Sequence, residues 1–162
     1  MIKEIYLAGG CFWGVEGYFS QLEGVIETKV GYSNGQTQDT NYKLIKATDH
    51  AEVIYLKYDD EVLPLIDVLR HYFRIIDPIS INKQGGDVGR QYRTGIYYVD
   101  ENTSKIVKTF ISELQEKYSK KIAVEVEQVN NYIDAEEYHQ KYLEKNPTGY
   151  CHVDLSLAKK SL

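Results

Sequence analysis

The fold turns on Lys3-Glu4-Ile5-Tyr6-Leu7-Ala8-Gly9-Gly10-Cys11-Phe12-Trp13-Gly14-Val15. Lys3 to Leu7 reads as a short strand, and Ala8-Gly9-Gly10 ends it. From Phe12 onward, Val15, Phe19 and Leu22 recur at helical spacing, which predicts a helix to about Leu22. A strand, a glycine turn and a helix thus meet at Cys11.

Outward from that junction, Ile26, Thr28, Val30 and Tyr32 alternate as a second strand. Ser33 to Thr40 is rich in turn formers and carries no core pattern, so it reads as a loop. A helical turn is expected around Asn41 to Lys46. Val53 to Tyr58 alternates as a third strand, joined to the second by an antiparallel return. Pro64 suits a helix start, with Leu65, Ile66, Leu69, Phe73 and Ile76 as its apolar stripe and Pro78 as its stop. Ser80 to Arg93, with Gly85, Gly86 and Gly89, reads as a second long loop. Ile96 to Val99 is a fourth strand, and Ile106, Phe110, Leu114 and Tyr118 mark a helix. Ile122, Val124 and Val126 alternate as a fifth strand. Asp134 and Glu137 resemble a capping box that opens a helix to about Lys145. The expected fold is α+β: a two-layer sandwich with a mixed β-sheet, a ferredoxin-like βαββαβ core and an irregular C-terminal tail over 145–162. One domain over 1–162 is expected, since no linker or repeat interrupts the pattern.

Bulk properties narrow the function. The 162 residues carry 43% hydrophobic and 27% charged residues, as a globular chain does. The net charge is −5 with no basic cluster, which argues against nucleic-acid binding. Met1-Ile2-Lys3-Glu4-Ile5 opens no signal peptide, and no window has the ~20 apolar residues of a membrane span. A cytoplasmic location and no membrane partner are expected. The two cysteines, Cys11 and Cys151, are too few for a disulfide scaffold and lack the spacing of a zinc site. No metal is expected, and G-x-G-x-x-G is absent. The 15 tyrosines suit a lined pocket as well as a core.

Cys11 admits two readings. It is a small residue packed at a strand-to-helix turn, or a nucleophile whose thiolate is stabilised by the free N–H groups of the helix's first turn. Phe12 and Trp13, the chain's only tryptophan, either fill the core or wall an apolar niche beside the sulfur. Taken alone, Glu52 suits a solvated strand start, Tyr42 and Tyr92 suit half-buried positions, and Asp87 suits a turn. His50, His71, His139 and His152 leave a Cys-His hydrolase open, although nothing in the sequence pairs one of them with Cys11. His139, within the expected helix, reads as a structural hydrogen-bonder, and His152 stands beside Cys151.

Gly10-Cys11-Phe12-Trp13-Gly14 resembles the signature of the A-type peptide methionine sulfoxide reductases. Three further blocks follow in the family's order. They are Gly31-Tyr32 with Asn41-Tyr42 and Asp49-His50-Ala51-Glu52; Asp77-Pro78 with Asn82 to Arg93; and His139 to Leu143 with Asn146 to Cys151. The resemblance implies that the Cys11 thiolate attacks the sulfoxide sulfur and that Glu52 protonates the oxygen. It implies that Phe12 and Trp13 hold the methyl group, Tyr42 and Tyr92 hydrogen-bond the oxygen, and Asp87 completes the polar side. It further implies the S epimer as substrate, in proteins, peptides or free methionine sulfoxide. Cys151 would resolve a Cys11 sulfenic acid as a disulfide, reduced in turn by thioredoxin or a similar dithiol reductant. No cofactor is implied, and a monomer is expected. Three departures stand out: a shorter Tyr42–Glu52 spacing, Asp49 where glycine is usual, and a tail without a further cysteine.

Overall fold

A computed structural model describes residues 1–162. β1 (Ile2–Gly9) is central in a six-stranded sheet and leads through Gly10 and Cys11 into α1 (Phe12–Phe19). Then come β2 (Val25–Ser33), the one-turn α2 (Ile45–Thr48), β3 (Ala51–Asp59) and α3 (Leu65–Ile75). A two-stranded ribbon, β4 (Lys83–Gln84) with β5 (Asp87–Val88), precedes β6 (Thr94–Tyr98). α4 (Glu101–Gln115), β7 (Glu125–Gln128), β8 (Ile133–Asp134) and the short α5 (Tyr142–Lys145) complete the order.

The strand order is β7-β6-β1-β3-β2-β8. Its four inner strands, β6-β1-β3-β2, are antiparallel and give the expected ferredoxin-like arrangement. β7 joins β6 in parallel after the crossover through α4, so the sheet is mixed. Alternation sets the two faces. Ile5, Leu7, Val30, Ile54, Leu56 and Ile96 join one core cluster with Val15, Phe19, Val68, Leu69 and Val107 of the helices. Tyr6, Ala8, Val53 and Tyr97 point to the opposite face, where Tyr132 covers them. Register places Tyr32 opposite Glu52, on the same face as Ile54 and Leu56, so the core row of β3 ends in a carboxyl group. Tyr72 of α3 locks the carboxyl end of β1: its hydroxyl donates to the Ala8 carbonyl at 2.6 Å and accepts from the Gly95 N–H at 3.1 Å.

Four expectations need correction. α1 ends at Phe19, not near Leu22. The loop over 80–93 holds the β4–β5 ribbon and a 3-10 turn at Arg90–Tyr92. Of the fifth-strand residues, Ile122 and Val124 are buried ahead of β7, which begins at Glu125.

The fourth correction is larger: the capping-box helix from Asp134 to Lys145 does not form. Asp134 lies in β8 and its carboxylate accepts from the Tyr132 hydroxyl. Glu137–His139 is a single 3-10 turn, and Lys141 has φ 52°. Tertiary bonds outweigh local propensity here. The Gln140 carboxamide pairs with both backbone groups of Val30, and the Glu136 carboxylate accepts from the Tyr32 hydroxyl and the Tyr42 N–H. The Lys141 N–H and ammonium both donate to Glu16, which is buried on α1.

The C-terminal segment is irregular as expected but is held down along its length. Val153 is buried, Leu155 and Leu157 pack on the core, and the Arg74 guanidinium donates to the carbonyls of Leu157, Lys160 and Ser161. No helix is long and apolar enough to cross a membrane.

Candidate active site

Gly10 turns the chain out of β1 with φ 86°, a conformation that suits glycine. Cys11 then caps α1, extended at φ −58° and ψ 123°. Its side chain is only 8% exposed. The backbone N–H groups of Trp13 and Gly14 point at the sulfur and favour the thiolate. Burial and the nearby charges of Glu52 and Asp87 act the other way and prevail, so the thiol is pushed up from its ordinary range. Burial thus pulls this thiol away from the thiolate that the helix start favours.

Glu52, on β3, is 2% exposed. Its Oε1 accepts from the Phe12 N–H at 3.1 Å, which satisfies one free donor of the helix start. Burial lifts its carboxyl to about 8, with the Phe12 bond pulling down and Asp87 pushing up. At neutral pH Glu52 is a carboxylic acid. With Oε1 engaged, Oε2 is the free oxygen that carries the proton.

Cys11, Phe12, Trp13, Tyr42, Glu52, Asp87 and Tyr92 all line one cavity of ≈190 Å³, together with Tyr150. Seven of the eight sequence-predicted residues are thus brought together. The lining splits into an aromatic wall and a polar wall. Phe12 is buried against Tyr32 and His139, and Trp13 stacks on Tyr142 at 3.7 Å between ring centres. Tyr42 and Tyr92 stand near Glu52 and Cys11, and burial first, then those charges, hold both phenols above their ordinary range. Both therefore keep their protons as donors.

Cys151, the eighth predicted residue, does not line this cavity. Its thiol donates to the Val153 carbonyl at 3.1 Å, and a Cβ built on Gly14 would come within 3.1 Å of its sulfur. Cys151 therefore rests against α1, one helical turn beyond Cys11, in space that exists because residue 14 has no side chain. Both thiols are free. The imidazole of His152 donates from Nε2 to the Gly9 carbonyl at 2.9 Å, since a carbonyl oxygen can only accept.

Two residues matter more than sequence reasoning indicated. Trp13 Nε1–H donates to His139 Nδ1 at 3.0 Å, and His139 is 2% exposed in contact with Phe12, Trp13 and Tyr42. His139 is a hydrogen-bonder, as expected, yet it sits in a 3-10 turn behind the aromatic wall. Tyr150, to which no role was given, donates its hydroxyl to Asp87 at 3.2 Å and lines the mouth. Its place beside Cys151 was the only signal in the sequence. Histidines 50, 71, 139 and 152 all hydrogen-bond to partners other than Cys11, so no Cys-His pair is formed.

A sequence profile described as peptide methionine sulfoxide reductase matches residues 3–162. The peptide methionine sulfoxide reductase MsrA of Lachnoclostridium phytofermentans is 57% identical over 155 residues, covering 94% of this chain and 93% of its own. Among solved structures, reduced Mxr1 from Saccharomyces cerevisiae superposes with a TM-score of 0.86 at 41% identity, covering 93% of this chain and 88% of Mxr1. Mxr1 in complex with Trx2 superposes with a TM-score of 0.64 at 31% identity, covering 87% and 84%. An aromatic niche that opens on a thiol and a protonated carboxyl is thus carried by a chain that belongs to the peptide methionine sulfoxide reductase family.

Proposed function

We propose that this methionine sulfoxide reductase acts on the S epimer, free or within oxidised proteins and peptides, by direct attack of Cys11 on the sulfoxide sulfur. The observation that carries this reading is the Phe12 N–H bond to Glu52 Oε1, which leaves a protonated Oε2 in the same cavity as the sulfur. A sulfoxide is a poor electrophile until its oxygen is protonated. Glu52 gives its proton to that oxygen, with the Tyr42 and Tyr92 hydroxyls as uncharged donors. The Cys11 sulfur attacks as its own proton moves to the vacated carboxylate. The sulfur–sulfur bond so formed then breaks as the hydroxyl passes from the substrate sulfur to Cys11: the substrate S–O bond is lost, Cys11 is left as S–OH, and the substrate leaves as the thioether. The substrate sulfur gains the two electrons that Cys11 loses, and Glu52 finishes protonated. A methyl group against Phe12 and Trp13, an oxygen at Glu52, and a chain leaving by the mouth fix three of the four positions at sulfur. Only one epimer then exposes its sulfur to Cys11.

In the second step the Cys151 thiol condenses with Cys11 S–OH, forming the disulfide and releasing water. A dithiol reductant then restores both thiols by exchange. The Mxr1–Trx2 complex supports a thioredoxin in that role. The enzyme is thus a repair activity for oxidised methionine.

The decisive experiment offers each epimer of N-acetylmethionine sulfoxide with dithiothreitol and quantifies methionine. The S epimer is converted and the R epimer is not; Cys11→Ser gives no product; Cys151→Ser gives about one product per enzyme and no thioredoxin-driven turnover. Conversion of both epimers alike, or normal thioredoxin recycling by Cys151→Ser, overturns the reading.

A further inference from the structure

The chemistry above uses only one end of a longer depression. The ≈190 Å³ niche shares Glu52, Asp87 and both substrate tyrosines with a second cavity of ≈500 Å³, which continues outward along Lys43, Lys46, Val88 and Gln91. A single methionine sulfoxide side chain needs the smaller volume. The larger one is open to whatever that side chain is attached to.

Three features of this groove point to its occupant. Gln91 is only 6% exposed, and its carboxamide hydrogen-bonds to no group of the chain. Its oxygen lies over Gly89, and the amide, which lines the groove, is left with N–H groups that no group of the chain accepts from. A polypeptide main chain provides the matching C=O. Val88 is 67% exposed on the same rim, an apolar contact for a neighbouring side chain. Lys43 and Lys46 are exposed and lie in no ion pair. Of the acidic residues around them, Asp49 is engaged by Arg90 at 2.8 Å and Arg93 at 3.9 Å, Glu136 accepts from the Tyr42 N–H and the Tyr32 hydroxyl, and Asp39, four residues before Lys43, forms no ion pair with either lysine. Glu52 is neutral in its protonated form, and Asp87, the remaining charge on the facing wall, is held by Tyr150. Two free cations thus stand along the outer groove of a chain whose net charge is −5.

We infer that this groove is a subsite for the polypeptide flanking an oxidised methionine: Gln91 pairs with substrate main chain, and Lys43 and Lys46 select a carboxylate side chain next to it. The inference rests on the reductase reading and names the peptides that the site prefers. Steering by exposed charges is sensitive to salt, because the Debye length shrinks to roughly 4 Å near 0.5 M.

The test compares blocked peptides, N-acetylated and C-amidated, with one methionine sulfoxide flanked by Glu or by Lys. Dimethyl sulfoxide, which is neutral and fills only the niche, is the reference substrate. The blocked ends ensure that any carboxylate comes from a flanking side chain. For each enzyme the readout is kcat/KM on peptide divided by kcat/KM on dimethyl sulfoxide. Expected is a preference for Glu over Lys peptides of about fivefold at low salt, shrinking toward unity at high salt. K43E/K46E inverts it. Gln91→Ala lowers the ratio about fivefold for both peptides and leaves the charge preference intact. Equal ratios for Glu and Lys peptides in the parent, or a preference that survives K43E/K46E, overturn the charge assignment; an unchanged ratio in Gln91→Ala overturns the main-chain contact. If the parent reduces neither dimethyl sulfoxide nor any peptide, the reductase reading fails and takes the subsite with it.

Discussion

Phe12 and Glu52 stand on different elements, and one hydrogen bond, 3.1 Å from the Phe12 N–H to Glu52 Oε1, binds the helix start to the end of β3. It fixes which carboxyl oxygen is free. It also brings the acid and the Cys11 sulfur, one residue from the donor, to the same small volume. Burial raises both groups above their ordinary ranges, which places a carboxyl and a thiol, each inclined to hold its proton, in that volume.

Glu52→Gln preserves the acceptor for Phe12 and replaces the acid with a group that donates a hydrogen bond but no proton. We expect kcat to fall about 10²–10³-fold, with KM little changed. The parent's rate falls as pH rises through about 8, where Glu52 loses its proton. The variant has no such limb. Rapid-quench measurement of methionine formation over pH 6–10 checks both, and an unchanged rate refutes the acid assignment.

The same substitution has the opposite sign for stability. The folded carboxyl at about 8 lies above its ordinary 4.5, so between those values the folded state holds a proton that the unfolded chain has released. Stability therefore falls as pH rises from 4.5 to 8, by a few kcal/mol in all. Glu52→Gln abolishes this slope. Urea unfolding should find the variant more stable than the parent at pH 8, with the gap closing toward pH 4.

A thiol pushed up by burial, Glu52 and Asp87 reacts slowly with electrophiles that lack a basic oxygen. In a Cys151→Ser background, iodoacetamide should alkylate Cys11 at pH 7 at least about tenfold more slowly than an exposed thiol, and faster as pH rises. Asp87→Asn removes one opposing charge and should speed alkylation a few-fold. Rapid alkylation at pH 7 would mean that the helix start wins over burial.

The inner sheet was legible because Ile5, Leu7, Ile54, Leu56 and Val30 alternate cleanly, and a strand pattern that repeats across three segments leaves little choice of face. Cys11 was legible as a candidate from its glycine turn and the helix behind it. Its protonation was not, since the helix start and the burial pull in opposite directions and only packing decides between them. Glu52 looked like a solvated residue; its place in register opposite Tyr32, on the core face, is what buries it. The segment from Asp134 to Lys145 misled because its capping residues are local signals, while Gln140, Glu136 and Lys141 are bound to partners about a hundred residues away. The Trp13–His139 pair was out of reach for the same reason.

Trp13 can only donate, so His139 must present a bare Nδ1 and carry its hydrogen on Nε2. Burial depresses the imidazole below its ordinary 6.5, with Glu136 opposing, and the neutral ring is the form that fits. Acid that protonates it sets N–H against N–H and releases the indole. Stability from this pair is complete above the ordinary histidine range and is lost as pH falls through the depressed folded value. His139→Leu should raise KM for sulfoxide about tenfold with a smaller effect on kcat, and shift the emission of the single tryptophan. His139→Gln, which retains an acceptor, should restore most of both.

Gly14 gives Cys151 its resting place. An alanine there sets its Cβ 3.1 Å from the Cys151 sulfur and 3.1 Å from a Val153 methyl, so the tail must shift by a few tenths of an ångström. Helix propensity favours the same change by ~1 kcal/mol. Gly14→Ala should therefore leave the fold intact and the first methionine per enzyme undiminished. Disulfide formation should slow several-fold, seen as a lower steady-state rate with thioredoxin. A normal steady-state rate would show that Cys151 does not act from this position.

Lys141 ties the C-terminal segment to α1. Its ammonium donates to Glu16 Oε2 at 3.0 Å and to both oxygens of Thr28 at 2.6 Å, while Thr28 Oγ1 donates to Glu16 at 2.9 Å. Glu16 is 2% exposed, whereas the Lys141 side chain is about one-third exposed. Lys141→Met leaves a buried carboxylate with only Thr28 and one backbone N–H for partners, and we expect a loss of about 2–3 kcal/mol, below the 3–5 typical of a fully buried pair. The double variant Glu16→Gln/Lys141→Met removes the stranded charge and should recover part of that loss. Urea titrations of the parent, both single variants and the double variant measure the coupling directly. Because α5 and the Cys151 segment follow Lys141, the single variant should also slow recycling with thioredoxin while its first turnover persists. A stable Lys141→Met enzyme with unimpaired recycling would show that the tail is held by Arg74 and Leu155 without help from this pair.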